Sequence, residues 1–298
     1  MGDYLFFRHP VRYREVAAEI SKKEFYRYFT KVVGNIYLRN DLLSDRHNLS
    51  LALLKRYPDG VLRGFAALRY RGYELLDENW KPIITVVSQD SKPKNDLVKV
   101  IRRKNPDELQ KVKGYSLVTD AQALVDIVSM PETAMKFEEQ VALLDHLLRQ
   151  NPYLRTELGK HEYLKELLEY SNIFAESRPE SIVRVRLQKA GMGTFVTQFR
   201  VEYQERRYFL DLADPYSFVG IEYQGIWHFN SKQRADDIDR KNDLADAGWT
   251  VFEISAETLH DKKRFADICQ RIKNIRKARM AERQRRLPLS RPLNGDEF

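Results

Sequence analysis

The sequence predicts an α/β protein with two domains, and three observations lead to this prediction. Helical patterns alternate with β-branched runs through most of the 298 residues. After residue 180 the order is helix, three strands, helix, strand and helix, which indicates a mixed sheet between helices, an α/β sandwich. Residues 175–179 have the composition of a linker. We therefore predict an α+β region over residues 1–175, a second domain over 176–287 and a basic, flexible end over 288–298.

The first elements have the order helix, helix and hairpin. Residues 11–20 and 22–32 have helical patterns, with Ser21 as the N-cap of the second helix. Gly34 and Asn35 provide a tight turn before a strand at residues 36–38. A small winged helix over about residues 8–45 needs this order, and its aromatic and basic residues would suit DNA. A helical module that packs on its neighbour explains the pattern equally well.

The rest of the N-terminal region mixes helices and strands. Helices are predicted at residues 48–55, 64–71, 120–128 and 137–148, and strands at 83–87 and 97–101. A charged amphipathic stretch then continues to residue 170. These elements predict a connecting α/β subdomain.

The C-terminal half has clearer periodicity. Helices are predicted at residues 180–190, 233–247 and 258–286, with Gly248 ending the second one. Strands are predicted at residues 195–201, 208–212, 218–223 and 249–254.

Charge favours a polyanionic partner, although only weakly. The formal net charge is +8, and the segment from Arg271 to Arg291 has nine basic residues against Glu282 alone. The net charge of this segment, +8, equals the net charge of the whole chain, so the rest of the chain has no net charge. Contact with a DNA backbone and a solvated helix that frays into a tail are comparable interpretations of the segment.

Cysteine content and the N-terminal sequence exclude several classes. Cys269 is the only cysteine, which excludes disulfides and multi-cysteine metal sites, and its apolar neighbours indicate a core position. The N-terminal residues have no long apolar run and contain Pro10, a pattern that fits neither a secretory signal nor a membrane helix. We expect a cytoplasmic protein with no membrane association.

The chemistry is predicted at two neighbouring strands. The strand period of two places Gly220, Glu222 and Gln224 on one face. The preceding strand carries Asp211 and folds back antiparallel, so Asp211 and Glu222 can meet. Two converging carboxylates repel each other unless a cation joins them, and Mg²⁺ or Mn²⁺ with oxygen ligands suits phosphodiester hydrolysis. Each acid alone has an ordinary structural explanation, whereas the set is harder to explain in that way.

The same residues resemble the PD-(D/E)XK nuclease superfamily: Glu180 at a helix start, Asp211, the triplet from Glu222 to Gln224, and the αβββαβ order. The segments DLA, GIEYQGIWH, ADDIDRKNDL and AGWTVFEI are similar to an uncharacterised domain family related to very-short-patch repair endonucleases, over about residues 176–275. The resemblance implies a restriction-endonuclease-like fold. More loosely, the N-terminal region resembles the winged-helix module of type IV (AbiEi-like) antitoxins.

The resemblance implies a role for each site residue. Asp211 and Glu222 would bind the metal, with the carbonyl of Tyr223 as a third ligand, and Glu180 would act through a water on the metal. Gln224 stands where the superfamily normally has a lysine that positions the attacking water. His228 would transfer a proton; a loop-packing histidine is its ordinary alternative.

Basic residues of the domain are the expected DNA contacts. Arg240 matches the family pattern and would hold the scissile phosphate or pair with Asp237, and Lys241 would follow it on the same helix, where a solvated charged face is the alternative. Arg276, Lys277 and Arg279 of the last helix would meet the DNA backbone.

Together these expectations predict a metal-dependent DNA endonuclease that acts in restriction, phage defence or DNA repair. The alternatives are a DNA-binding regulator, antitoxin-like, with a degenerate nuclease fold, and an interaction subunit of a defence or repair complex. DNA is the expected partner; a homodimer and a protein partner from a defence or repair operon are further candidates.

Overall fold

The computed structural model describes residues 6–76, 79–87, 96–102, 109–131, 135–225 and 231–286. The chain divides into two compact units, Met1–Ser171 and Asn172–Phe298. The division lies four residues before the predicted linker. Both units combine helices with a mixed sheet, so the predicted α/β class is confirmed.

The first unit begins with short helices and a hairpin. These are α1 (Tyr13–Val16), α2 (Lys22–Tyr28), β1 (Phe29–Val33), β2 (Ile36–Arg39) and α3 (Arg46–Arg56). Ser21 Oγ accepts the N–H of Glu24, as expected for an N-cap. Gly34 has φ +55° in the predicted turn, and Val33 pairs with Ile36 around it.

Two helix predictions are wrong in this part. The helix expected over residues 11–20 is limited to Tyr13–Val16, because Val11 instead forms a bridge with Tyr37. The helix expected to reach residue 32 ends at Tyr28, where β1 begins. The β1 sequence FTKVV is rich in β-branched residues, and pairing with β2 buries part of it.

A five-stranded mixed sheet follows in the first unit. Its strands are β3 (Val61–Arg63), β4 (Ile83–Val86), β5 (Lys99–Arg102), β6 (Leu109–Val112) and β7 (Tyr115–Val118), in the order β5-β4-β3-β7-β6. Its helices are α4 (Gly64–Arg71), α5 (Asp120–Ser129), α6 (Phe137–Gln150), α7 (Leu154–Leu158) and α8 (Glu162–Tyr170). The sequence did not predict β3, β6 or β7, because buried and exposed residues do not alternate in these three short strands.

The second unit has the predicted order of elements. They are α9 (Arg178–Lys189), β8 (Val196–Tyr203), β9 (Arg206–Asp214), β10 (Val219–Gln224), α10 (Ser231–Asp246), β11 (Thr250–Ser255), α11 (Ala256–His260) and α12 (Lys262–Arg286). Strands β8, β9 and β10 pair antiparallel, and β11 adds parallel to β10. The predicted last helix is two helices, because Asp261 accepts the N–H groups of Lys263 and Arg264 and so starts α12.

Helices of the second unit pack against this sheet. Helix α10 contacts β8 and β11, whereas α9 contacts β9 and β10, and α12 contacts β10. Gly248 ends α10 with φ +85°, and the next residue, Trp249, donates its N–H to Leu244 and packs into the core. Cys269 is buried, as predicted. Within the ranges that the structure describes, none of the helices has both the length and the apolar character to cross a membrane.

Candidate active site between strands β9 and β10

The carboxylate of Asp211 lies where β9 and β10 separate. The paired residues of the two strands end at Leu212 and Ile221. At the next position Asp211 Oδ2 accepts the N–H of Tyr223, at 2.8 Å. The N–H of Tyr223 is thus bound by a side-chain oxygen of β9 instead of a backbone carbonyl. This hydrogen bond fixes the carboxylate of Asp211 between the two strands.

The pKa of Asp211 is raised from its ordinary value of 3.8 to about 6. Burial is the largest cause, and the negative charges of Glu180 and Glu222 add to it, while the N–H of Tyr223 and the charge of Arg240 act in the opposite direction. The local positive charge is therefore too small to keep Asp211 as acidic as an ordinary aspartate. A cation bound there would supply the missing charge.

Glu222 forms an ion pair with Arg240 of α10. The side chain of Glu222 is only 12% exposed, so the pair is largely shielded from water. Arg240 also donates to the carbonyl of Phe209, at 2.7 Å, and its guanidinium lies 5.5 Å from the ring centre of Tyr208. Arg240 thus pairs with Glu222 and not with Asp237, which was the alternative to phosphate binding. Strand separation brings the acids close to α10, a proximity that helical periodicity does not reveal.

Lys241 follows on α10 and is held by two acids. It contacts Glu253 of β11 at 2.5 Å and Asp237 at 3.2 Å, and the hydrogen bond to Glu253 is the largest cause of its raised pKa. A cavity of about 380 Å³ lies beside it, lined by Glu222, Lys241 and Glu253 together with apolar residues of α10 and β11. The role of Lys241 in DNA binding stays a prediction.

Glu180 is buried in the first turn of α9. Its Oε2 accepts the N–H of Glu176 at 3.0 Å and the side-chain amide of Gln198 at 3.2 Å. Ser177 caps the same helix by accepting the N–H of Glu180. These contacts resemble a capping box, so helix capping alone gives Glu180 a structural role. Its charge nevertheless contributes to the raised pKa of Asp211.

Gln198 is a residue of this site that the sequence did not single out. Its φ is +50°, a region that residues other than glycine rarely adopt. Thr197 and Phe199 on either side pair with Leu212 and Leu210, whereas Gln198, which would face Asp211, is unpaired in the register of β8 with β9. A strained residue opposite a candidate catalytic acid favours a functional role. No sequence pattern signals it, because alternation of side chains does not encode φ.

The other predicted site residues lie as follows. Gln224 is the last residue of β10, partly buried and paired with Ser255 of β11. Tyr223 gives its N–H to Asp211, and metal binding by its carbonyl stays a prediction. His228 lies outside the described residues.

Two of the predicted DNA contacts on α12 are held inside the unit. Arg276 donates to the buried carboxylate of Asp214 at 2.7 Å. Arg279 donates to the carbonyls of Ser217 and Phe218, at 2.8 and 2.5 Å. Both arginines therefore fasten the turn between β9 and β10 to α12. Lys277, by contrast, is exposed.

The donor set suits a hard divalent ion better than a soft one. Asp211 and Glu222 offer carboxylate oxygens, which Mg²⁺ and Mn²⁺ prefer, and Mg²⁺ often keeps several waters beside one or two carboxylates. In the part of the chain that the structure describes, no group of three or more histidine, cysteine, aspartate or glutamate residues has an arrangement that could hold a metal ion. Water or substrate oxygens would have to complete the coordination.

No protein-family model matches this chain, and no curated protein or solved structure matches it either.

Proposed function

We propose that this protein is a metal-dependent DNA endonuclease of the PD-(D/E)XK type, acting with Mg²⁺ or Mn²⁺ in the cytoplasm. The observation that carries the proposal is the position of Asp211, a partly buried acid with a raised pKa between separating strands and close to the charge of Glu222. Acids with a perturbed pKa cluster at functional sites, and two neighbouring carboxylates suit a cation. The order of helices and strands in the second unit is that of the superfamily, which supports the same proposal.

Each residue would then have a distinct task. Asp211 and Glu222 would hold the cation, and Gln224 would orient water by hydrogen bonds from its amide. Arg240 would leave Glu222 for a phosphate oxygen of the substrate, where a planar guanidinium forms strong paired hydrogen bonds. Glu180, held by Gln198, would keep the site acidic. A bound Mg²⁺ or Mn²⁺ would polarise the phosphate and make water a better nucleophile at neutral pH.

A regulator that binds DNA without cutting it is the second candidate. Two observations favour it: the ion pair with Arg240 already neutralises Glu222, and glutamine stands at the position of the expected lysine. In this case Glu222 would stabilise the fold through its ion pair with Arg240, and DNA would bind to basic residues on the surface. An interaction subunit of a defence or repair complex is the third candidate, and a homodimer is compatible with all three.

Incubation of the full chain with a labelled DNA duplex in Mg²⁺, Mn²⁺ or EDTA separates the candidates. We expect cleavage with metal only, and its loss in Asp211→Asn and Glu222→Gln with duplex binding retained. Glu202→Gln is a matched control, because Glu202 is an exposed acid of the neighbouring strand β8. Binding without cleavage in every metal would favour the regulator, and neither binding nor cleavage would favour an interaction subunit.

The glutamine has its own test. If Gln224 orients the water, Gln224→Lys should retain or raise cleavage, because lysine adds a positive charge beside the developing negative charge. Gln224→Leu, similar in size but without hydrogen bonds, should lose it. If His228 carries the proton instead, His228→Ala should be the more damaging change, and equal activity in all these variants would mean that neither residue takes part.

A further inference from the structure

Two exposed aromatic residues stand on the turn between β9 and β10. Tyr216 is 64% exposed and Phe218 is 46% exposed. Exposed aromatic side chains are costly to solvate and are a common mark of binding surfaces. The turn lies at the start of β10, whereas Glu222 lies four residues further along, about 13 Å away at 3.3 Å per residue. The pair is therefore separate from the candidate active site.

The turn that carries the two rings is rigid. Asp214, only 1% exposed, accepts the N–H of Tyr216 at 3.2 Å, the hydroxyl of Ser217 at 2.7 Å and the Nε–H of Arg276 at 2.7 Å. Arg279 holds the far side of the turn through two carbonyls. Three hydrogen bonds to one buried carboxylate fix the backbone. The backbone that carries the two rings is thus fixed before any ligand arrives, which lowers the entropy lost on binding.

Phe218 also has a strained backbone, with φ +50°. A bulky aromatic residue in this region is unusual and is kept only where surrounding contacts impose it. Its ring meets Trp249 edge-to-face at 5.4 Å, which accounts for its inner side. Nearly half of the residue stays exposed, so its outer side is accessible to a ligand.

An open cavity of about 720 Å³ lies against these rings. It is lined by Tyr216, Phe218, Gly248, Arg279, Arg283 and one acid, Glu282, among others. The guanidinium of Arg283 lies 5.9 Å from the ring centre of Tyr216. The volume is within the range of small-ligand pockets, about 300–1,000 Å³. Flat apolar faces beside a guanidinium suit a ligand that has both a ring and a negative charge.

We propose that this cavity binds a single-stranded segment of DNA, with bases stacked on Tyr216 and Phe218 and a phosphate facing Arg283. Aromatic platforms beside cations bind unpaired strands in a sequence-tolerant way, because every base offers a flat face. Arg279 and Arg283 of α12 both line the cavity and supply positive charge for the backbone. The inference rests on the proposed function only in taking DNA as the ligand; it needs neither metal nor cleavage.

The test compares two fluorescein-labelled strands of 20 residues, one with bases and one made of abasic sites, by fluorescence anisotropy in EDTA. Both strands have the same charge, so a preference for the first measures stacking. Stacking of one base supplies about five- to 100-fold in affinity, so with two rings we expect the full chain to prefer the base-bearing strand by at least about fivefold. Tyr216→Ala should remove the share of the preference that one ring contributes, and Tyr216→Phe should keep it.

Phe218→Gly is the second variant, because glycine accepts the φ of this position and retains the turn. It should reduce the preference in the same way. Tyr153→Ala is the control, since Tyr153 is an 88% exposed aromatic residue of the other unit. This variant should prefer the base-bearing strand as strongly as the unaltered chain does. Circular dichroism verifies that each variant is folded.

Two results would overturn the inference. Equal binding of both strands by the unaltered chain would mean that only phosphates are recognised. An undiminished preference in both Tyr216→Ala and Phe218→Gly would place stacking elsewhere, and the rings would then be better explained as a protein-docking surface. Asp211→Asn separates this inference from the proposed function: it should lose cleavage and keep the preference. Failure of the nuclease proposal alone would leave the strand preference intact.

Discussion

Replacing Asp211 by asparagine should stabilise the metal-free protein above pH 7. Asparagine has nearly the same shape, and its Oδ1 can still accept the N–H of Tyr223, so the change removes little but the charge. The charge is unfavourable in the folded protein, because the pKa of Asp211 is raised to about 6 from the ordinary value of 3.8. Between these two pH values the folded chain keeps a proton that the unfolded chain has released.

The sign of the pH dependence follows from this difference. As pH rises through the window from 3.8 to about 6, the free energy of unfolding falls. At about 1.4 kcal/mol per pKa unit the full shift corresponds to roughly 3 kcal/mol. Water reaches part of the side chain and screens its charge, so we expect about 1 to 2 kcal/mol. Below pH 4 the protonated acid and asparagine should be equivalent.

Urea unfolding of both proteins in EDTA, followed by circular dichroism at pH 4 and pH 8, measures the difference. The Asp211→Asn variant should gain the stated free energy at pH 8 and nothing at pH 4, while Glu202→Gln should show no such dependence. Adding Mg²⁺ at pH 8 should stabilise the unaltered chain and leave the variant unchanged, because a ligand that binds only the folded state raises its stability. A destabilised variant at pH 8, or one stabilised equally at both pH values, would refute the assignment of an unfavourable charge to Asp211.

Two further predictions concern residues with internal contacts. Gln198→Gly should remain within about 1 kcal/mol of the unaltered chain in urea unfolding, because relief of the strained backbone offsets the lost hydrogen bond to Glu180; metal-dependent cleavage should fall about tenfold, as expected for weaker positioning. A large loss of stability in Gln198→Gly would contradict the inference that the backbone of Gln198 is strained. Arg276→Ala should cost about 3 kcal/mol, because the buried carboxylate of Asp214 loses its counter-charge. Lys277→Ala should change stability by less than about 0.5 kcal/mol and should reduce the slope of log affinity against log salt by about one in DNA binding. Identical behaviour of the two α12 variants would refute the internal role of Arg276.

Regular elements were predictable from the sequence where one strong pattern acted alone. The strands around Asp211 and Glu222 and the helix ended by Gly248 have clear periods and turn signals, and the structure has them within a few residues of the prediction. The sequence assigns the segment from Phe29 to Val32 to a helix, because its apolar spacing fits a helix as well as a strand. Pairing with β2, a contact between segments, decides in favour of a strand.

The candidate site was predictable only in part, for a related reason. Alternation along β10 and the turn before it were enough to bring Asp211 and Glu222 together. The partner of Arg240 depends on how α10 packs near the acids, which no local pattern contains. The conformation of Gln198 is likewise set by its neighbours in the sheet and not by its residue type.

The irregular residue in β8 also affects how copies of this protein can associate. Strand β8 lies at an edge of the four-stranded sheet, and an edge strand exposes unpaired backbone groups to which another chain can add. Gln198 interrupts the extended backbone there, and Arg200 and Glu202 place charges beyond it. An incoming strand would find only short stretches of regular backbone to pair with. We therefore expect that a homodimer of this protein does not continue the sheet at β8.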